Sequence, residues 1–153
     1  MTNLKEGDKA PDFTAKDQNG DTVSLSNFKG KNLILYFYPA DDTPTCTKEA
    51  CNFRDNYQSL LSKGFAVVGV SLDNEKSHKK FIKKYDLPFP LLADEDKKII
   101  EAYGVWGEKT TFGKTYMGTN RTTFVIDKDG KILKVIDKVE SKNASQQVLD
   151  VLQ

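Results

Sequence analysis

Two short apolar runs constrain the fold of this chain more than any other feature. Leu33, Ile34, Leu35, Tyr36, Phe37 and Tyr38 form the first; Phe65, Ala66, Val67, Val68, Gly69 and Val70 form the second. Runs this short, with few polar interruptions, read as strands buried on both faces. Pro39 stops the first run. Between the two, Ala50, Phe53, Tyr57, Leu60 and Leu61 recur at helical spacing. Thr43 is placed to be the N-cap, Pro44 the first helical residue and Gly64 the C-terminal stop. Strand, helix and strand in this order predict a β-α-β unit, with parallel pairing and a right-handed crossover.

The remaining segments fit around that unit. Phe13 and Ala15, then Asn19-Gly20, then Val23 and Leu25 carry the alternation and turn of an N-terminal β-hairpin. Helices are expected over residues 75–85 and 94–103, with a short strand at 90–92. Residues 104–118 show weak patterning and read as a loop. Strands at 122–126 and 132–136 flank Asp127-Lys128-Asp129-Gly130, a hairpin turn. Val148, Leu149 and Leu152 mark a final amphipathic helix. The sum is one α/β domain over residues 1–153, a mixed central sheet with helices on both faces.

Charge narrows the function classes. A net charge of +1 supplies no field for nucleic acid or an acidic membrane surface. The pairs Lys79-Lys80 and Lys83-Lys84 read as a solvated helix face, with His78 exposed on it. Trp106, Tyr38 and Phe37 are expected in the core. Residues 1–6 hold no apolar run of the secretory type, and no stretch is long enough to span a bilayer, so the expected location is the cytoplasm. Thiols are kept reduced there. Cys46, Cys51 and His78 together fall short of a four-ligand zinc site.

The cysteines carry the chemistry. With Thr43 as cap, Cys46 falls in the first helical turn, where backbone N–H groups lack intrahelical partners and the macrodipole is positive. Both favour a thiolate, the nucleophilic form of the side chain. A small buried hydrophobe would occupy the same position equally well. Cys51 lies five residues further along the predicted helix. Helical geometry puts the two Cα atoms about 8–9 Å apart, beyond the roughly 7 Å that a disulfide tolerates. Either the pair never bonds, or bonding requires the first turns to unwind. The second alternative describes a catalytic cycle.

The run Pro39-x-x-x-Thr43-x-x-Cys46 resembles the active-site signature of peroxiredoxins. Thr47-Lys48-Glu49-Ala50-Cys51 is similar to the Q-type subgroup, related to bacterioferritin comigratory protein. So are Ala10-Pro11-Asp12-Phe13, Tyr103-Gly104-Val105-Trp106-Gly107-Glu108-Lys109 and Arg121-Thr122-Thr123-Phe124-Val125-Ile126-Asp127. The similarity covers essentially the whole chain. One departure is Thr45, where many members have Gly.

This resemblance implies a thioredoxin-like fold and a thiol-dependent peroxidase acting on hydrogen peroxide and organic hydroperoxides. Cys46 would attack peroxide and become a sulfenic acid. Cys51 would resolve it to an intramolecular disulfide, which a thioredoxin-like protein would reduce. Thr43 and Arg121 would manage the peroxide oxygens, Glu49 would orient Arg121, and Pro39 would shield the sulfur. No metal, haem or flavin is implied, and a monomer is expected. Taken without the resemblance, Thr43 is only a cap, Arg121 a surface ion-pair partner, Glu49 a complement to the helix N-terminus and Cys51 a packed thiol. Two rival functions fit a cysteine pair. A dithiol–disulfide oxidoreductase would ordinarily carry C-x-x-C, which is absent. A redox-sensing or chaperone-like protein would use the disulfide as a switch.

Overall fold

A computed structural model describes residues 2–153. Its strands are β1 (Thr14–Lys16), β2 (Thr22–Ser24), β3 (Asn32–Phe37), β4 (Phe65–Ser71), β5 (Leu91–Ala93), β6 (Trp106–Thr111), β7 (Lys114–Thr119), β8 (Thr122–Ile126) and β9 (Ile132–Ile136). Its helices are α1 (Pro44–Asp55), α2 (Tyr57–Ser62), α3 (Glu75–Tyr85), α4 (Lys98–Ala102) and α5 (Ala144–Val151). The main sheet runs β2-β1-β5-β4-β3-β8-β9. Its centre, β5-β4-β3, is parallel, and antiparallel strands flank it on both sides.

The expected β-α-β unit is β3, α1 with α2, and β4. Register pairs Tyr36 with Gly69 and Phe37 with Val70. The continuous apolar character of β3 has a simple cause: alternate side chains enter two different cores. Ile34, Tyr36 and Tyr38 pack under α1, α2, α3 and α5, with Phe53, Leu60, Phe81 and Val148. Leu33, Leu35 and Phe37 face the other way, toward α4 and the N-terminal stretch, with Ile99, Ile100 and Tyr103. Helices therefore cover both faces, as the patterning predicts.

Gly69 is required by what lies beside it. A Cβ there would stand 2.7 Å from Leu91 Cδ2 and 2.9 Å from Tyr36 Cζ. The missing side chain admits the Tyr36 ring, whose centroid lies 4.9 Å from that of Phe53 on α1. The floor beneath α1 is thus an aromatic layer seated on a glycine.

Three expectations need correction. The helix after Thr43 does not run unbroken to Gly64. Asn56 leaves helical geometry (φ −108°, ψ 8°), and its side-chain amide donates to the Asn52 carbonyl beside its own backbone N–H, so that oxygen takes a second, local bond at the break. Residues 104–118 are not a loop. They hold the separate hairpin β6–β7, turning at Phe112 and Gly113, both at positive φ. Such a two-residue turn matches strand twist. Its strands are too polar and exposed to show an apolar alternation. His78 is not exposed; it is fully buried on the inner face of α3.

Candidate active site

The parallel strands β3, β4 and β5 deliver their carboxyl ends to one edge of the sheet, the usual location of ligand sites in such sheets. α1 begins there. Its buried residues are Cys46, Glu49, Ala50 and Phe53. This i, i+3, i+4, i+7 stripe is the amphipathic pattern that docks a helix on a sheet. The same stripe turns Cys46 and Glu49 to one side, one turn apart. Cys51 lies about 140° round the helix from Cys46 and is half-buried. Both cysteines are free thiols on one unbroken helix.

Pro44 occupies the start of α1, as expected, and Thr43 takes the extended backbone of an N-cap. Its hydroxyl does not cap the helix. It donates to the Ala40 carbonyl at 3.2 Å, closing the preceding loop on itself. The Thr43 carbonyl accepts the first helical hydrogen bond, from the Thr47 N–H at 2.8 Å. Pro39, at the exit of β3, is half-buried.

Arg121, immediately before β8, supplies the decisive contact. Its Nη2 donates to Cys46 Sγ at 3.1 Å, and its Nη1 donates to Glu49 Oε1 at 2.7 Å. The planar guanidinium fork spans two positions one helical turn apart, which a point charge such as Lys cannot do. The alternative reading of Arg121 as a surface ion-pair partner, taken without the resemblance, fails, because the carboxylate it meets is fully buried.

The two ends of this ion pair bear burial differently. Burial pushes the Glu49 carboxyl up to about 7, although the Arg121 charge and hydrogen bond pull it down. Its second oxygen, Oε2, has no hydrogen-bond partner among the described residues. Burial also opposes the Arg121 charge. The Glu49 carboxylate, the Cys46 sulfur and the hydrogen bonds to both outweigh it and hold the arginine protonated. A permanent cation therefore lies on the sulfur. Among the described residues, no guanidinium hydrogen bond of this kind reaches Cys51. Burial pushes its thiol up; Arg54 pulls the other way and Asp55 adds to the rise.

Residues 6–135 match the model of the AhpC/TSA family. The chain belongs to that family. It is a Q-type peroxiredoxin, 48% identical over 149 residues to peroxiredoxin Bcp of Bacillus subtilis, covering 97% of this chain and 95% of that protein. Peroxiredoxin Bcp of Escherichia coli is 45% identical over 152 residues, covering 99% and 97%. Among solved structures, the bacterioferritin comigratory protein of Xanthomonas campestris superposes with a TM-score of 0.87 at 31% identity, covering 99% and 97%. The thioredoxin-like fold expected from the sequence is the one found. This peroxiredoxin is a thiol-dependent peroxidase of the atypical two-cysteine type. Among the described residues, no helix is long and apolar enough to cross a membrane.

Of the residues singled out in the sequence, the peroxiredoxin fold joins Cys46, Glu49 and Arg121 by direct contact. Thr43 and Pro39 frame the loop that leads to them. Cys51 stands apart on another side of α1. The sequence reading missed the residues that hold this loop, His78 and Asp41. Their signal was present: His78, Phe81, Ile82 and Tyr85 form an inward helical stripe, obscured by the lysines that alternate with it.

Proposed function

We propose that Cys46 is the peroxidatic cysteine of this peroxiredoxin and Cys51 its resolving partner. The observation that carries the reading is the 3.1 Å contact from Arg121 to Cys46 Sγ in the first turn of α1. The Cys46 sulfur attacks one peroxide oxygen, forming an S–O bond as the O–O bond breaks. The departing oxygen leaves as water or an alcohol after taking a proton. Charge that develops on the peroxide oxygens is met by Arg121, the Thr43 hydroxyl and the backbone N–H groups of the first turn. Glu49 fixes the arginine, and Pro39 shields the sulfur.

Cys51 then attacks the Cys46 sulfenic acid, forming the disulfide and releasing water. This prevents further oxidation to the sulfinic acid. It requires the first two turns of α1 to open, since an intact helix holds the Cα atoms about 8–9 Å apart. Opening also exposes the Cys51 thiol and relieves the burial that pushes it up. A thioredoxin-like dithiol protein reduces the disulfide. The substrates are hydrogen peroxide and organic hydroperoxides; the X. campestris relative was solved for its alkyl peroxide reduction activity. Residues 1–153 act as one domain, as a monomer in the cytoplasm.

Stopped-flow mixing with hydrogen peroxide tests the assignment. Cys46→Ser is expected to abolish peroxide consumption. Cys51→Ser is expected to keep the first turnover and accumulate sulfenic and then sulfinic acid on Cys46. A wild-type rate no faster than that of free cysteine, or unchanged consumption by Cys46→Ser, would refute it.

A further inference from the structure

A second buried polar cluster lies under the loop that delivers Cys46. Asp41, in that loop, receives three side chains. Tyr38 Oη donates to its Oδ1 at 2.6 Å, and Ser77 Oγ donates to its Oδ2 at 2.7 Å. His78 Nδ1 meets Oδ2 at 2.8 Å, with both side chains almost wholly buried. The Asp41 N–H is bound in turn by Asp73 Oδ2 at 2.8 Å. His78 Nε2 lies 2.9 Å from the Leu92 carbonyl. A carbonyl only accepts, so Nε2 carries a hydrogen. A further hydrogen then lies between Nδ1 and the Asp41 carboxyl. The imidazole bridges β5 and the active-site loop, with no nitrogen to spare. Asp41, Asp73 and His78 are close enough together to hold a cation, but the oxygens and nitrogens involved already bond one another and the backbone.

The rest of α1 is anchored elsewhere. Asn52 Nδ2 donates to the Lys142 carbonyl, and Asn52 Oδ1 accepts from the Ser145 N–H. Arg54 Nη1 donates to the Tyr85 carbonyl. Beyond Cys51 the helix is therefore tied to α5 and α3, and opening has to begin on the Cys46 side. Besides the Arg121 bonds to Cys46 and Glu49, two ties from the preceding loop hold that side down. Asp42 bonds Lys84 and Tyr85 in the open, where such contacts contribute little. Asp41 is held by buried bonds, which are expensive to leave unmade.

We propose that His78 is a positioning residue: through Asp41 it holds the loop and first turn of α1 in the folded arrangement that reacts with peroxide, against the open one that forms the disulfide. The proposal rests on the catalytic cycle given above. It predicts effects of opposite sign on the two halves of that cycle. A weaker grip slows oxidation of Cys46 and speeds closure of the Cys46–Cys51 bond. General loss of packing would also favour opening, so the two bonds of the ring have to be broken one at a time.

Two substitutions separate the bonds of the ring. In His78→Asn the amide nitrogen replaces Nδ1 and keeps the bond to Asp41. In His78→Gln it replaces Nε2 and keeps only the bond to Leu92. Closure is measured in the full chain in two ways: from the sulfenic acid after one peroxide turnover, and from the dithiol with diamide. Diamide takes two electrons and two protons from the thiols, so its arm needs no peroxidase chemistry. His78→Gln is expected to close about tenfold faster or more, the effect of unpairing a buried partner, with slower Cys46 oxidation. His78→Asn is expected to stay near wild type in both. Asp41→Asn should follow His78→Gln, which covers the case of a Gln variant that does not fold, as judged by its denaturant midpoint. Equal effects of Asn and Gln, or closure by His78→Gln and Asp41→Asn at or below the wild-type rate, overturn the proposal. If wild type fails to react with peroxide, the catalytic reading fails, while the diamide arm still decides whether His78 restrains the loop.

Discussion

Cys46 and Cys51 share one helix, five residues apart, in contrasting surroundings. Cys46 is in the first turn, buried, with a guanidinium on its sulfur and an aromatic floor beneath. Cys51 is in the second, half-buried, and burial pushes its thiol up. In the proposed cycle the first turn meets the reactant, and the second stays idle until the helix opens. Position on the helix makes the difference: a five-residue step leaves the inward stripe, so only one cysteine can meet Arg121. In the proposed cycle, the contrast distinguishes nucleophile from resolver by packing, without a second activating group.

The largest way to break the contrast is to remove the fork. Arg121→Lys keeps a positive charge but cannot reach Cys46 and Glu49 together. Its kcat/KM for hydrogen peroxide is expected to fall about 10²–10³-fold, as when one preorganised donor to a transition state is lost. Stopped-flow kinetics check this. A fall of less than about tenfold would mean that charge alone suffices and that the fork geometry is incidental.

A pH titration of stability sharpens the same turn. Glu49 carries its proton up to about pH 7 in the folded protein, against 4.5 for its ordinary value. The folded state thus binds the proton more tightly than the unfolded one. Its contribution to stability is full below pH 4.5 and is lost as pH rises through about 7. Relative to Glu49→Gln, which does not titrate, wild type should lose on the order of 3 kcal/mol across that window. The difference should be flat on either side. Denaturant unfolding of both proteins from pH 4 to 8 checks it, and a pH-independent difference would count against the buried carboxyl.

The smallest effect is expected at the second turn. Asn52→Ala removes the bonds to Lys142 and Ser145 and should lower unfolding free energy by about 1–2 kcal/mol, with little change in the rate of Cys46 oxidation. An equal loss of that rate would mean that the two turns are not independent.

Much of this was legible beforehand, for reasons that show where the rest hid. The strands β3 and β4 announced themselves because both faces are buried, leaving no polar positions to blur the run. The start of α1 was marked by Thr43 and Pro44, which placed Cys46. The hairpin β6–β7 was invisible because it lies outside the main sheet and exposes residues such as Phe112, Tyr116 and Met117. The Thr43 hydroxyl chose the Ala40 carbonyl over the helix, a preference no spacing encodes. Without the family resemblance Arg121 reads as a surface residue; tertiary packing brings Glu49 beneath it from a position 72 residues away in sequence. His78 was masked by flanking lysines on a helix whose inward stripe includes it.

Amide hydrogen exchange across residues 45–54, compared between the reduced and disulfide forms, tests the central claim most directly. The claim is that α1 is a closed helix when Cys46 meets peroxide and an open one when Cys51 reaches it. The reduced form should show helical protection through both turns, and the disulfide form should lose it from Thr45 to Cys51 while the sheet stays protected. Equal protection in the two forms would contradict the account.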